Sequence, residues 1–391
     1  MAGDGSTPAG RVGLATIARE WGRIGCLGFG GPPTHIALLR QLCVERRRWI
    51  SAAEFEDGIA VTNLLPGPAS TQLAIFTAWR LRGVPGALIG GFCFIVPGLV
   101  LILGLAALFL TGNPPRWVQG AAAGAGAAVA AVAVHAAWAL VPASGERAGP
   151  RPAGRARWLG YGLAGAVAAA LTGPWLVFVL IAAGIAEVVV RGGIRNRPGR
   201  RALSWPVLAL APPAAGGLLA LVWVALKVGA LSYGGGFVII PLMQADATEH
   251  YRWMTDAQFL NAVALGQITP GPVVQTVAVV GFAAAGVGGG LLAAAVAFAP
   301  SFLFVIFGGP SFARLRANRT VQAFFDGAGP AVVGAIAGSA IPLAMALQHL
   351  WQLGVLAAAA LWLLAARRGV VSALLGAGVL GVVAALVGWP V

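Results

Sequence analysis

Charge is scarce in this chain: 10% of its 391 residues are Asp, Glu, Lys or Arg, while 59% are hydrophobic. Soluble domains carry about 25% charged residues, so a soluble globular fold is excluded. Acids are the scarcer sign, 12 against 26 Lys plus Arg, and Lys227 is the single lysine. Cysteine is nearly absent. Cys26, Cys43 and Cys93 have no metal or redox spacing, which excludes a disulfide framework and a thiolate metal centre and leaves packing roles. Segments of alternating hydrophobicity are missing, so an outer-membrane barrel is not encoded. A secretory leader is not expected either, because Met1–Gly10 is polar and is followed by Arg11, Arg19 and Arg23. The glycines after Lys227 lack the Lys-Ser/Thr ending of a phosphate loop, and no catalytic constellation is visible. No enzyme activity, cofactor, metal or nucleotide-driven pumping is therefore expected.

Long apolar runs dominate instead. Residues 84–111, 287–309 and 370–388 are each long enough to cross a bilayer core about 30 Å thick. The chain reads as an all-α polytopic membrane protein. Its net charge of +14 comes from arginines in short loops between apolar runs, a topology signal, so the basic partner is the lipid bilayer and no nucleic acid.

The organising feature is a doubled helix breaker. Asn63-Leu64-Leu65-Pro66-Gly67-Pro68 recurs as Gln267-Ile268-Thr269-Pro270-Gly271-Pro272, and the flanks correspond as well. Arg23 falls on Lys227, the turn glycines Gly30 and Gly31 on Gly234 and Gly235, Trp49 on Trp253, and Phe55 on Phe259. After a one-residue slip Gly83 falls on Gly286 and Pro97 on Pro300. Two homologous halves follow. The expected organisation is a polar tail (1–10), a first repeat (11–141), a basic connector with one or two membrane helices (142–204), a second repeat (205–348) and C-terminal membrane helices (349–391). Residues 142–157, with four arginines, read as a loop, and 158–190 as one kinked helix or two short ones. Ser51-Ala52-Ala53-Glu54 and Thr255-Asp256-Ala257-Gln258 have capping-box spacing.

Loop charge orients the halves. Arg46, Arg47 and Arg48 mark a cytoplasmic loop, while its counterpart carries Asp246, Glu249 and Asp256, so the halves are expected to be inverted. Arg80 and Arg82 share the side of Arg46–Arg48, which favours a hairpin over a crossing for 52–82. In inverted-repeat transporters the site lies near the midplane, between broken helices whose N-terminal ends offer free N–H groups and a positive dipole. Candidate substrate ligands are Asn63, Ser70, Thr71 and Gln72 in one half and Gln267, Thr269, Gln275 and Thr276 in the other. The competing reading makes each breaker a kink whose polar neighbours satisfy the freed backbone. Arg23 and Lys227, like charges at equivalent positions, suit one dianion, against a reading in which they snorkel to the interface. Asp57, Glu20 and His35 are candidates for ion coupling, with capping, ion pairing or core packing as the alternatives; Glu20 stands one turn from Arg23.

Phe29-Gly30-Gly31-Pro32 with His35, Glu45-Arg46-Arg47-Arg48-Trp49-Ile50-Ser51 and Asn63 through Leu73 resemble the chromate ion transporter family, and so does Ala264 through Val274 with Pro300-Ser301-Phe302 and Phe325-Asp326-Gly327. The resemblance implies the long, two-domain form: an inner-membrane secondary transporter that exports chromate, with sulfate as a chemical mimic, as a possible homodimer. Another tetrahedral oxyanion, or a channel or non-transporting scaffold, are the alternatives. Two residues depart from the family pattern. Ala69 stands where Asn is usual, and Asn261, the counterpart of Asp57, where an acid is common.

Overall fold

The computed structural model describes residues 12–62, 65, 67–110, 114–171, 176–192, 216–232, 237–308 and 318–391. Among these, secondary structure is helical throughout. The first half holds α1 (Leu14–Leu27), α2 (Pro32–Arg40), α3 (Ala52–Thr62), α4 (Ala69–Leu110), α5 (Arg116–Ala127), α6 (Val129–Ala148), α7 (Pro152–Leu171) and α8 (Leu176–Val190). The second holds α9 (Leu218–Leu231), α10 (Ile239–Ala245), α11 (Asp256–Ile268), α12 (Thr276–Gly308), α13 (Arg319–Gly338), α14 (Ala340–Met345), α15 (Leu350–Ala360) and α16 (Val370–Leu386). Four helical stretches are long and apolar enough to cross a membrane, namely Ala69–Leu110, Arg116–Ala148, Val273–Gly308 and Arg319–Met345. Large apolar side chains such as Phe92, Trp138, Leu163 and Phe307 are exposed on the outside, the surface that lipid solvates.

The repeat read from the sequence has matching backbone geometry. Both short second helices run on into π-helical turns, Gln41–Arg46 and Asp246–His250, each followed by an arginine in the left-handed region, Arg48 (φ 51°) and Arg252 (φ 52°). Both capping boxes are formed, with Ser51 and Glu54 exchanging hydrogen bonds and Thr255 and Gln258 doing the same. Within α4 the helical path fails at Arg82 and Gly83, and within α12 at Ala285 and Gly286. The chain reverses there. A Cβ at Gly91 would stand 2.8 Å from Ile75, on the opposite arm of α4, and one at Gly281 would stand 2.9 Å from the Gly289 carbonyl carbon of α12. Each long helix is therefore an antiparallel hairpin: a short arm leading from the breaker and a long arm that crosses.

Ion pairs at the ends of 52–82 agree with that path. Arg80 pairs with Glu54 and Arg40 with Glu56, so the segment returns to the level at which it began. Burial alone would raise the Glu54 carboxyl, but hydrogen bonds from Arg80 and Ser51 hold it below the ordinary carboxylate range. Glu20 pairs with Arg47 at 2.8 Å, where the sequence suggested Arg23. The Cys43 thiol, raised to about 12 by burial and secondly by Glu20, is a packing group without nucleophilic character.

Helix crossings rest on small residues, as expected where lipid removes the hydrophobic drive between helices. Gly25 of α1 meets the Phe94 carbonyl of α4, and its counterpart Gly229 of α9 meets the Ala297 carbonyl of α12. Gly120 and Gly124 of α5 pack on Gly381 and Ala377 of α16, while Gly327 of α13 packs on Ala183 of α8. Each half thus lends a last helix to the other. The stretch 142–157 is not the loop expected from its arginines: α6 continues through Pro142 to Ala148 and α7 begins at Pro152. Arginine is a good helix former, and its charge alone does not end a helix. Glu187 of α8 draws Arg157 and Arg191 together at 2.9 and 2.7 Å, and Arg191 also holds Asp326, so these embedded acids are balanced by arginines at helix ends.

At Gly83 (φ 60°, ψ −147°) and Gly286 (φ 64°, ψ −157°) the backbone lies in a region essentially restricted to glycine, although an added Cβ would meet nothing within 4 Å. Gly83→Ala and Gly286→Ala are expected to destabilise the protein by about 1–3 kcal/mol each through strain alone. Gly104→Ala, in open space on the same long helix, should be neutral or stabilising. Thermal unfolding in detergent measures all three.

Candidate functional site

The two breakers are buried and connected to each other through the first-half glycine turn. Asn63 and Pro66 lie outside the described residues, as do Gly234 and Gly235. Gly67 is at φ 125° and α4 begins at Ala69, two residues on. In the second half α11 ends at Ile268, Gly271 is at φ 99°, Val273–Gln275 form one 3-10 turn and α12 begins at Thr276. Pro68, Pro270 and Pro272 flank these glycines, where a ring without an N–H leaves no donor to satisfy.

A hydrogen-bond chain joins one breaker to the other. The Gly28 carbonyl accepts from the Gly271 N–H at 3.0 Å and lies 2.9 Å from His35 Nε2. A carbonyl can only accept, so Nε2 carries the proton; in the neutral ring Nδ1 then accepts from Ser70 Oγ, 3.3 Å away. His35 is 0% exposed and stands edge-on to Phe94. The first-half glycine turn makes this possible. Gly30 (φ 95°) and Gly31 (φ 78°) carry the chain tightly into α2, and a Cβ added at Gly31 would stand 3.7 Å from Val273 of the second breaker.

The long arms cross over to the opposite breaker. Gly98 of α4 lies against Pro270 O and Gln275 of the second half, while its counterpart Ser301 of α12 lies against Gly67 of the first. Gln275 Nε2 donates to Ile95 O at 2.7 Å, beside the Pro97 kink. Thr269 and Thr276 turn their hydroxyls back to the Leu265 and Val273 carbonyls. Ser70, Thr71, Gln72, Gln267, Thr269, Gln275, Thr276 and Ser301 are all buried. Thr71 Oγ1, Gln267 Nε2, Gln275 Oε1 and Ser301 Oγ have no hydrogen-bond partner among the described residues. Buried polar atoms without partners are costly, so this concentration points to a bound polar ligand.

The candidate cations are placed differently from each other. Arg23 is exposed on α1. Lys227 is 6% exposed and pairs with Asp246, itself 1% exposed, whose Oδ1 has no hydrogen-bond partner among the described residues. Leu42 occupies the position of Asp246 in the first half, so Arg23 has no equivalent acid to keep it inside. With its charge met by Asp246, Lys227 does not offer a free positive charge, and the geometry lends no support to a two-cation clamp. Asp246 escaped sequence reasoning because it sits among acids of a polar segment; the signal available was Lys227 itself, an isolated buried cation that requires an acid. Asp57 is exposed on α3, and Asn261 lines a cavity of about 180 Å³ with Gln119, Gln348, His349 and Gln352. Among the described residues no cluster of His, Cys, Asp or Glu is arranged to hold a metal.

Paired interrupted helices inside a helical membrane bundle, lined by neutral polar groups, are the architecture of a multi-pass membrane transporter. The chromate transporter family model matches twice, over residues 15–188 and 219–382. The chain is 33% identical over 333 residues to the chromate transport protein of Cupriavidus metallidurans, covering 82% of this chain and 80% of that one. It is 28% identical over 340 residues to a probable chromate transport protein of Synechococcus elongatus, covering 84% of each, and 30% identical over 342 residues to the chromate transport protein of Pseudomonas aeruginosa, covering 82% and 79%. No solved structure matches. The chain belongs to the chromate transporter family.

Removing one partner of a buried ion pair costs about 3–5 kcal/mol, whereas replacing both with apolar residues is often neutral. Lys227→Ala and Asp246→Ala are each expected to lose most folded protein, and Lys227→Met with Asp246→Leu to regain it. Size-exclusion yield and thermal unfolding read the difference.

Proposed function

We propose that this protein carries chromate out of the cytoplasm across the inner membrane, with the membrane potential as its driving force. Membership of the chromate transporter family together with the two linked, buried breakers is the observation behind this reading. Chromate is a tetrahedral dianion, and helix N-termini with neutral donors suit such an ion. Moving two negative charges outward across an inside-negative membrane gains about 4.6 kcal/mol per 100 mV, over three factors of ten in concentration. No embedded carboxylate is needed for that energy, which agrees with Glu187 and Asp326 being held by arginines.

The halves act as an inverted pair in this reading, supported by the opposite charge of the loops at Arg46–Arg48 and Asp246–Asp256 and by the exchange of long arms between breakers. In this reading each repeat unit runs further than 11–141 and 205–348. The family matches end at 188 and 382, inside α8 and α16, and these two helices pack reciprocally on α13 and α5. Residues 158–190 then belong to the first repeat, with 349–386 as their counterpart, in place of a connector.

Everted membrane vesicles test the proposal. Energised vesicles bearing the protein are expected to accumulate chromate above empty ones, with sulfate competing. Valinomycin with potassium, which dissipates the potential, should abolish accumulation, and nigericin, which dissipates only the pH gradient, should spare it. Accumulation lost to nigericin but not to valinomycin would replace potential drive with proton coupling.

A further inference from the structure

The two breakers are equivalent in sequence but not in chemistry. Thr71 and Gln275 occupy the same position of the repeat, as do Gly98 and Ser301. In the second half the space between the breaker and the crossing arm is filled. The Gln275 amide wedges between Gly98 and Gly271, commits Nε2 to Ile95 O, and leaves Oε1, an acceptor, without a partner. An oxyanion brought there meets the Oε1 lone pairs, with only the second Nε2–H left to donate to it.

In the first half the Gln72 amide stands beside Gly67 as Gln275 stands beside Gly271, and the difference lies in the hydroxyls that accompany it. Thr71 replaces the long amide with a hydroxyl, and Ser301 brings a second hydroxyl across on α12. Ser301 Oγ lies 3.3 Å from the point where a side chain on Gly67 would begin, and Gln72 Nε2 lies 2.5 Å from it. Thr71 and Ser301 are both 0% exposed and their hydroxyls have no partner among the described residues. Behind them α4 begins. Gln72 N is bonded to Pro68 O at 3.0 Å, so the earlier N–H groups of that first turn have no acceptor within the helix. The backbone donors and dipole of the short arm begin beside Gly67, where the Ser301 hydroxyl lies, and the Thr71 hydroxyl belongs to the same first turn.

We propose that the first-half breaker alone forms the oxyanion cradle. The dianion is held by the first turn of α4 and by the hydroxyls of Thr71 and Ser301, with the Gln72 amide beside them, while in the second half Gln275 and Gly98 stand at these two positions and bring no hydroxyl. This rests on the transport reading above. Because Ser301 comes from the second half and Thr71 from the first, the cradle exists only while the two halves are packed together. Sliding α12 against the first breaker removes one donor from the ion, which couples release to movement of the halves.

Chromate uptake into energised everted vesicles, at matched expression, provides the test. Thr71→Val and Ser301→Ala are each expected to raise the chromate KM about tenfold or more, the worth of a hydrogen bond to a charged group, with maximal rate within about twofold. Thr71→Ser and Ser301→Thr, which keep the hydroxyls, should stay near wild type. Ser301→Gly places at this position the residue that stands at its counterpart, Gly98, and serves where the alanine variant folds poorly. Sulfate inhibition should weaken by the same factor in each hydroxyl-deleted variant, since both ions present tetrahedral oxygens. Unchanged KM values in Thr71→Val and Ser301→Gly, in vesicles where the wild type transports chromate, overturn the cradle and leave the transport reading standing. Absence of uptake by the wild type overturns the transport reading itself.

Discussion

Breaking a helix inside an apolar protein leaves backbone N–H and C=O groups that water cannot reach, and each must be met by something else. The centre of this molecule is arranged around that constraint. The Gly28 carbonyl takes the Gly271 N–H of one breaker and the His35 Nε2–H, and His35 holds Ser70 at the start of the helix that leaves the other. Gln275 spends its Nε2 on the Ile95 carbonyl, and Thr269 and Thr276 turn back on their own backbone. These bonds lock two interrupted helices against each other, so the polar atoms they leave over are few and fixed in place.

Duplication supplies the frame, and substitution within the frame supplies the chemistry. A pair of equivalent hairpins, reversing at Gly83 and Gly286 with nearly the same backbone angles, brings two breakers together with equivalent surroundings. Each departure from equivalence then carries a separate consequence. Asp246 for Leu42 lets Lys227 remain buried where Arg23 turns outward. Gln275 for Thr71 exchanges a hydroxyl for an amide committed to the Ile95 carbonyl, and Ser301 for Gly98 adds a hydroxyl on the opposite arm. A strictly symmetric protein would present two identical half-sites to one ion.

Much of this was legible in the sequence because its causes are local. Pro-Gly-Pro cannot continue a helix, Ser51 with Glu54 and Thr255 with Gln258 close capping boxes within one turn, and a 204-residue offset requires no knowledge of packing. Features that depend on contacts between distant segments were not legible. Ser301 is one small polar residue in an apolar helix, and only the crossing of α12 over Gly67 gives it a role. Asp246 acquires its meaning from Lys227, 19 residues earlier, once α9 and α10 fold together. The arginines of 142–157 do not mark a loop by their charge: Arg147, Arg155 and Arg157 ride on α6 and α7, with Glu187 drawing Arg157 inward.

A cradle of neutral donors also accounts for how a transporter binds a dianion and still lets it go. Fixed cations in a low-dielectric interior hold a doubly charged ion strongly, and strong holding slows release. Hydroxyls and N–H groups at a helix start stabilise charge without carrying any, so the empty site has no buried charge to neutralise. With Lys227 satisfied by Asp246, the net charge of the site changes by two on loading and returns to zero on emptying. The moving charge is then that of the ion alone, and the full potential acts on it. A free lysine travelling with the dianion would carry its charge back on the empty return, so the driving force per cycle is that of the ion in either case, and pairing Lys227 with Asp246 places the whole voltage dependence on the loaded step.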